Sequence, residues 1–150
     1  MYTIRMERIH ILKQFVREGI RFECVPGCIK CCAIPGMVFV KKAEIPKMAK
    51  HFGMEEELFI EKYLARHWAD VYNLNFPDTE PCMFLTEKGC AIYEARPDQC
   101  RTFPFWPENM SNASSWKTAK KLCPGIGTGR NYLIEEIREI MEDVCFGPFL

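Results

Sequence analysis

Four of the nine cysteines crowd into nine residues, Cys24, Cys28, Cys31 and Cys32, in the order C-x3-C-x2-C-C. Cys82, Cys90, Cys100 and Cys123 follow, so eight thiols are available, enough for two four-thiolate sites, and Cys145 stands apart. Crowding of this kind has two ordinary explanations, a disulfide scaffold or a set of metal ligands. The scaffold is disfavoured because the count is odd and adjacent Cys31 and Cys32 are awkward to bridge. No secretory pattern opens the chain either, since Arg5, Glu7, Arg8, His10 and Lys13 interrupt any apolar run. The expected setting is therefore a reducing cytoplasm, where thiols stay free to act as ligands, and the sequons at Asn109 and Asn112 are chance matches.

With 150 residues, 48% of them apolar and 13% aromatic, the chain can build a core without a metal to staple it. A single domain over residues 1–150 is expected. Lys and Arg total 20 against 20 Asp and Glu, and this balance lacks the basic excess of a nucleic-acid binder. Lys41, Lys42, Lys47 and Lys50, and again Lys117, Lys120 and Lys121, read as solvated faces. No stretch approaches the length of a membrane span.

Residues 4–18 have helical spacing through Ile9, Leu12, Phe15 and Val16, with Gly19 as the stop. Met37 to Val40 reads as one strand. Helices are expected at 43–52, with Pro46 near the start and Gly53 closing it, and at 55–68, with Ile60, Tyr63, Leu64 and His67 on one face. From Asn73 to Gly129 the texture changes: Pro77, Pro81, Pro97, Pro104, Pro107 and Pro124 break it up, and helical periodicity fades. A loop of that length needs an organiser, and bound metal would serve by tying distant backbone points to one centre. One hairpin is expected there, Met83–Leu85 against Cys90–Tyr93 across Glu87-Lys88-Gly89. A final helix at 133–144 carries a buried stripe of Leu133, Ile134, Ile137, Ile140, Met141 and Val144 behind an acidic outer face. The fold class expected is mainly α with a few short strands, a small domain with metal-organised loops.

Cys28 and Cys31 have the C-x2-C relation common to zinc and iron–sulfur sites, and Cys24 can join them from the preceding turn. Neighbouring side chains diverge, so Cys31 and Cys32 are expected to serve two centres, two irons of one cluster, or one ligand and one supporting thiol. The C-x3-C-x2-C spacing is similar to that of radical S-adenosylmethionine enzymes. Those enzymes place it on a large β/α barrel, for which 150 residues are too few.

The second half is more specific. Cys90, Ile92-Tyr93-Glu94, Arg96-Pro97 and Cys100-Arg101-x-Phe103-Pro104 follow Cys82 and precede Cys123. With the first cluster, this resembles the YkgJ-type cysteine-cluster family, a zinc- or iron-chelating domain, over residues 22–125. The resemblance implies that Cys24, Cys28, Cys31, Cys32, Cys82, Cys90, Cys100 and Cys123 hold metal or an iron–sulfur cluster. A related domain in flagellin lysine methylases implies a link to protein modification.

All-cysteine sites suit both zinc and iron–sulfur. Iron–sulfur, 4Fe–4S in one or two copies, is preferred because the second four cysteines form no zinc-ribbon knuckle. Phe84, Tyr93, Phe103, Phe105 and Trp106 flank them as an apolar shell. The leading function is electron transfer, or service to a modifying enzyme with a redox or enzyme protein partner. The alternative is a structural zinc module for protein interaction. Arg96 and Arg101 read as partners of Glu94, Asp98 or loop carbonyls, or as donors to a cluster. Tyr93 reads as a buried anchor, His10, His51 and His67 as non-ligands, and Gly125-x-Gly127-x-Gly129 as a flexible linker.

Overall fold

The computed structural model describes residues 17–144. In chain order the elements are β1 (Ile20–Phe22), β2 (Phe39–Lys41), α1 (Ile45–His51), α2 (Glu56–Tyr63), β3 (Leu64–Trp68), β4 (Val71–Leu74), β5 (Leu85–Thr86), β6 (Gly89–Cys90), α3 (Asp98–Thr102), α4 (Pro107–Met110), α5 (Ala113–Leu122), β7 (Arg130–Tyr132) and α6 (Ile134–Asp143). Short 3-10 turns at Lys42–Glu44 and Tyr93–Ala95 complete them. The expectation of a mainly α chain is overturned: strands in three small antiparallel sheets alternate with helices of ten residues or fewer, a mixed α/β architecture. Strands of two or three residues are too short for alternation to show in sequence. The chain divides into two compact units, one of Gly27–Arg101 and one made of the segments that flank it.

In the Gly27–Arg101 unit the sheet order is β2-β4-β3. The helix expected at 55–68 stops at Tyr63, because Leu64 turns extended and Leu64–Trp68 pairs with Val71–Leu74, starting at Leu64 opposite Leu74. Ladder bonding here overrides a local pattern that favours helix, and a register irregularity between Arg66 and Trp68 bends the strand. The helix expected at 43–52 is present as α1, with Pro46 in its first turn. Gly53, at φ 63°, ends it: Gly53 N–H bonds Lys50 O and Met54 N–H bonds Ala49 O, the paired closure a left-handed residue permits. The core is Val40, Ile45, Met48, Ala49, Phe59, Leu64, Leu74, Phe84 and Ile92. Phe52 stacks on Phe59 and on Tyr63, at 5.9 and 5.2 Å, and meets Phe84 at 5.5 Å. Phe84 anchors the expected hairpin, which is present as β5 and β6, shorter than expected and turning at Glu87-Lys88.

The other unit pairs β1 with β7, Ile20 opposite Tyr132, and extends the ladder through a Phe22–Ile126 bridge. Its core holds Phe22, Phe105, Trp116, Ile134, Ile137 and Met141, with Phe22 edge-on to Phe105 at 5.7 Å. Helix α5 lies where the sequence reads as irregular; Asn112 caps it by accepting from Ser115 N–H at 2.9 Å. The expected final helix is present as α6, but Leu133 sits at its N-cap and is exposed, outside the buried stripe. The glycine run is no loose linker. Gly125 is buried against Glu23, whose carbonyl would lie 2.0 Å from any added Cβ, and Glu23 N–H bonds Gly125 O. The helix expected at 4–18 lies outside the described residues apart from Arg17 and Glu18, which form a turn.

Candidate metal centre

Three backbone features bring thiols together in the Gly27–Arg101 unit. Ala33 N–H closes on Ile29 O at 2.9 Å, so the cysteine loop curls into one helix-like turn that carries Cys31 and Cys32. Cys82 N–H bonds Cys32 O at 3.0 Å, which fixes the segment before β5 against that turn. Gly89, at φ 112°, lies so close to the loop that an added Cβ would stand 3.2 Å from Gly27 Cα. Strand β6 therefore delivers Cys90 beside the loop, and only glycine fits both the angle and the space. Cys82 and Cys90 also pack on the core at its edge.

Helix α3, which carries Cys100, is tied to the far end of the loop by side chains. Gln99 accepts from Phe39 N–H at 2.7 Å and donates to Met37 O at 3.1 Å, copying a strand partner. Glu44 accepts from Lys41 N–H at 2.7 Å and Asp98 N–H at 2.5 Å, joining the start of α1 to the start of α3. Burial raises the Glu44 carboxyl. Arg101 and Lys41 both pair with Asp98, so Arg101 has the ion-pair role expected of it. Sequence reading passed over Gln99 and Glu44; the signal lay in polar side chains next to helix starts, where backbone N–H groups need acceptors.

The thiols act on one another electrostatically, with Cys32 donating toward Cys31 and Cys90 as the main cause of their shifts. This lowers Cys31 to about 7 and Cys90 to about 6, while the Cys32 thiol is held up as the shared donor. Backbone N–H groups support Cys31 and Cys90 as well. Burial pushes Cys82 and Cys100 up, and the neighbouring thiols push in the same direction. The charge of Arg96 opposes them at Cys31, Cys90 and Cys100, and that of His51 at Cys90. Cys31 and Cys32 share one tight turn, closed by the Ala33–Ile29 backbone bond.

Five of the eight expected ligands, Cys31, Cys32, Cys82, Cys90 and Cys100, therefore form one electrostatically linked group. Cys28 is half-buried in the same loop. Cys24 and Cys123 belong to the other unit, where both pack on its core. The Phe22–Ile126 ladder brings their two segments side by side. His51 contacts Ala91 O at 2.9 Å and His67 packs on Phe39 at 4.9 Å; His10 and Cys145 lie outside the described residues. Tyr93 is half-buried, with Arg96 over its ring.

Among the described residues, no group of three or more Cys, His, Asp or Glu side chains stands where it could hold a metal ion. The donor chemistry nevertheless fits a soft metal. The group is all sulfur, it accepts backbone N–H bonds as thiolates do, and two members favour the ligating thiolate near neutral pH. No helix among the described residues is long and apolar enough to cross a membrane.

No solved structure matches this chain. A family model of the CxxCxxCC type, described as "Putative zinc- or iron-chelating domain", matches residues 23–124, a span that takes in all eight patterned cysteines, the whole Gly27–Arg101 unit and part of the other. The chain belongs to this family of cysteine-cluster, zinc- or iron-chelating domains.

Proposed function

We propose that the chain is an iron–sulfur protein that carries electrons or serves a modifying enzyme. The observation that supports this reading is the placing of Cys31, Cys32, Cys82, Cys90 and Cys100 in one unit, with the Cys82–Cys32 backbone bond and the Gly89–Gly27 approach setting the hairpin on the cysteine loop. A tetrahedral zinc site takes four ligands and closes, whereas a polynuclear cluster accepts thiols that arrive from adjacent positions and from remote segments. A bound cluster would supply one-electron chemistry at a potential set by its surroundings. The chain's own part is to hold the thiols, to donate backbone N–H bonds to sulfur, and to keep water back with Phe84 and its ring cluster. Protein made and purified without oxygen is expected to be brown and to hold iron and acid-labile sulfide. Colourless protein with stoichiometric zinc would overturn the reading.

The second reading is a redox-silent zinc module for protein interaction. It is favoured by Ile29, Ile34, Met37 and Met83, apolar side chains exposed in the cysteine loop and beside Cys82. Under this reading, replacing a ligand cysteine unfolds the loop and abolishes partner binding without altering any redox signal.

A further inference from the structure

Three cysteines of the Gly27–Arg101 unit lie outside the cysteine loop, and each is tied to it by a contact made at the cysteine itself or at the residue before it. Cys82 uses its own N–H, which donates to Cys32 O at 3.0 Å. Cys90 follows Gly89, which lies against Gly27. Cys100 follows Gln99, whose side-chain amide accepts from Phe39 N–H at 2.7 Å and donates to Met37 O at 3.1 Å, where the chain leaves the loop. The first two contacts are made by backbone. The third is made by a side chain, so it can be removed without touching a thiol or a backbone angle.

The two groups that Gln99 bonds flank Val38, whose own carbonyl faces the other way and accepts from Leu74 N–H at 2.9 Å. They are the donor and acceptor that a strand offers to a parallel neighbour. To answer both, one side chain must accept and donate at once. A primary amide does this, whereas a carboxylate of the same shape only accepts. Helix α3 needs such a tie, because Asp98–Thr102 is too short to hold a helix by itself. Glu44 and Lys41 hold Asp98, but from further along the chain. Gln99 joins α3 to the end of the loop that carries Cys28, Cys31 and Cys32.

We propose that Gln99 is a positioning residue of the metal centre: by answering Met37 and Phe39 together, it registers Cys100 with the loop thiols and so makes Cys100 a ligand. The inference rests on the metal-chelating reading of the thiol group.

Co2+ is the probe, since its thiolate charge-transfer absorption reports binding and grows with the number of sulfur ligands. Reduced, metal-free wild-type protein, Gln99→Glu, Cys100→Ser and the double variant are titrated anaerobically against a competing chelator. Cys100→Ser is expected to show a weaker band per bound Co2+ than wild type. Gln99→Glu keeps every thiol, yet should match that weaker band and bind Co2+ about tenfold or more less tightly than wild type. The double variant should lose no more than Cys100→Ser alone, because Gln99 acts through Cys100. A wild-type band in Gln99→Glu overturns the inference, whatever its affinity. So does a further loss in the double variant, the mark of a general loosening of the fold. Cys100→Ser with the wild-type band also overturns it and leaves the metal reading standing. Wild-type protein that binds no Co2+ overturns the metal reading and the inference with it. Should Gln99→Glu fail to fold by circular dichroism, Gln99→Met replaces it and is judged by the same outcomes.

Discussion

Cys82 N–H donates to Cys32 O at 3.0 Å, which sets the cysteine turn beside the β5–β6 hairpin, and Cys32 draws Cys90 of that hairpin down to about 6. Cys32 also serves Cys31, so one residue sets the ionisation of two. In metal-free protein, Cys90 and Cys31 are expected to be the first of the group to be alkylated near pH 7. Cys82 and Cys100, pushed up by burial, should react slowly. Because the two values are depressed, thiolate is lost as pH falls through about 7 for Cys31 and about 6 for Cys90. Whatever stability those thiolates give the metal-free fold is present above 9.0 and fades through the same window on acidification. Cys32→Ala should move the alkylation onset of Cys90 upward toward 9.0. Peptide mapping of iodoacetamide adducts against pH would read this directly, and an unmoved onset would count against the role given to Cys32.

Gly89→Ala should reduce metal retention as well as stability. The backbone angle, φ 112°, is one that L residues rarely adopt, and the new methyl would press on Gly27 Cα. Strain of this kind costs about 1–3 kcal/mol. Urea unfolding of the metal-free protein measures the stability loss, and metal content after gel filtration shows whether Cys90 is still delivered to the loop.

Gln99→Leu removes both bonds between α3 and the Met37–Phe39 backbone. The stranded Phe39 N–H should cost about 1–3 kcal/mol. Amide hydrogen exchange is expected to rise at Phe39 and along α3, with no change in the β3–β4 ladder. Glu44→Gln keeps the shape and a carbonyl acceptor, so it should lose less.

Phe84→Ala tests what anchors the hairpin. Phe84 is buried and touches Phe52 and Tyr63, at 5.5 Å each. Loss of such a ring costs about 3–5 kcal/mol. A lower midpoint in thermal unfolding is expected, together with loss of bound metal at temperatures where wild type keeps it.

Chelation of the metal should loosen the loop before the core. The cysteine turn rests on the Ala33–Ile29 and Cys82–Cys32 backbone bonds, whereas α1 and α2 bury Ile45, Met48 and Phe59. Limited proteolysis of stripped protein should cut first between Gly27 and Met37; cleavage beginning in α1 would contradict this ordering.

The candidate thiols were legible because cysteine spacing is explicit, and α6 because Ile134, Ile137 and Met141 repeat at helical intervals. What could not be read was pairing. Nothing local in Leu64–Trp68 calls for a strand; its partner, Val71–Leu74, supplies the reason across a turn through Ala69 at φ 44°. Helix α5 shows in sequence only as Asn112 and a thin stripe of Trp116 and Ala119, easily lost among prolines. The turn that carries Cys31 and Cys32 is closed by a bond from Ala33 to Ile29 that leaves no mark in composition.

The sequence sorts its eight patterned thiols four and four, but the units hold six and two of them, because the chain passes between the units at Pro26–Gly27, inside the motif, and again after Arg101. This partition has a consequence for biosynthesis. The Gly27–Arg101 unit is one uninterrupted stretch, so its six thiols have all left the peptidyl-transferase centre before Thr102 is added. The flanking unit cannot close until β7 and α6 arrive to meet β1. Translation thus completes the stretch that carries the larger thiol set before it has made β7 and α6.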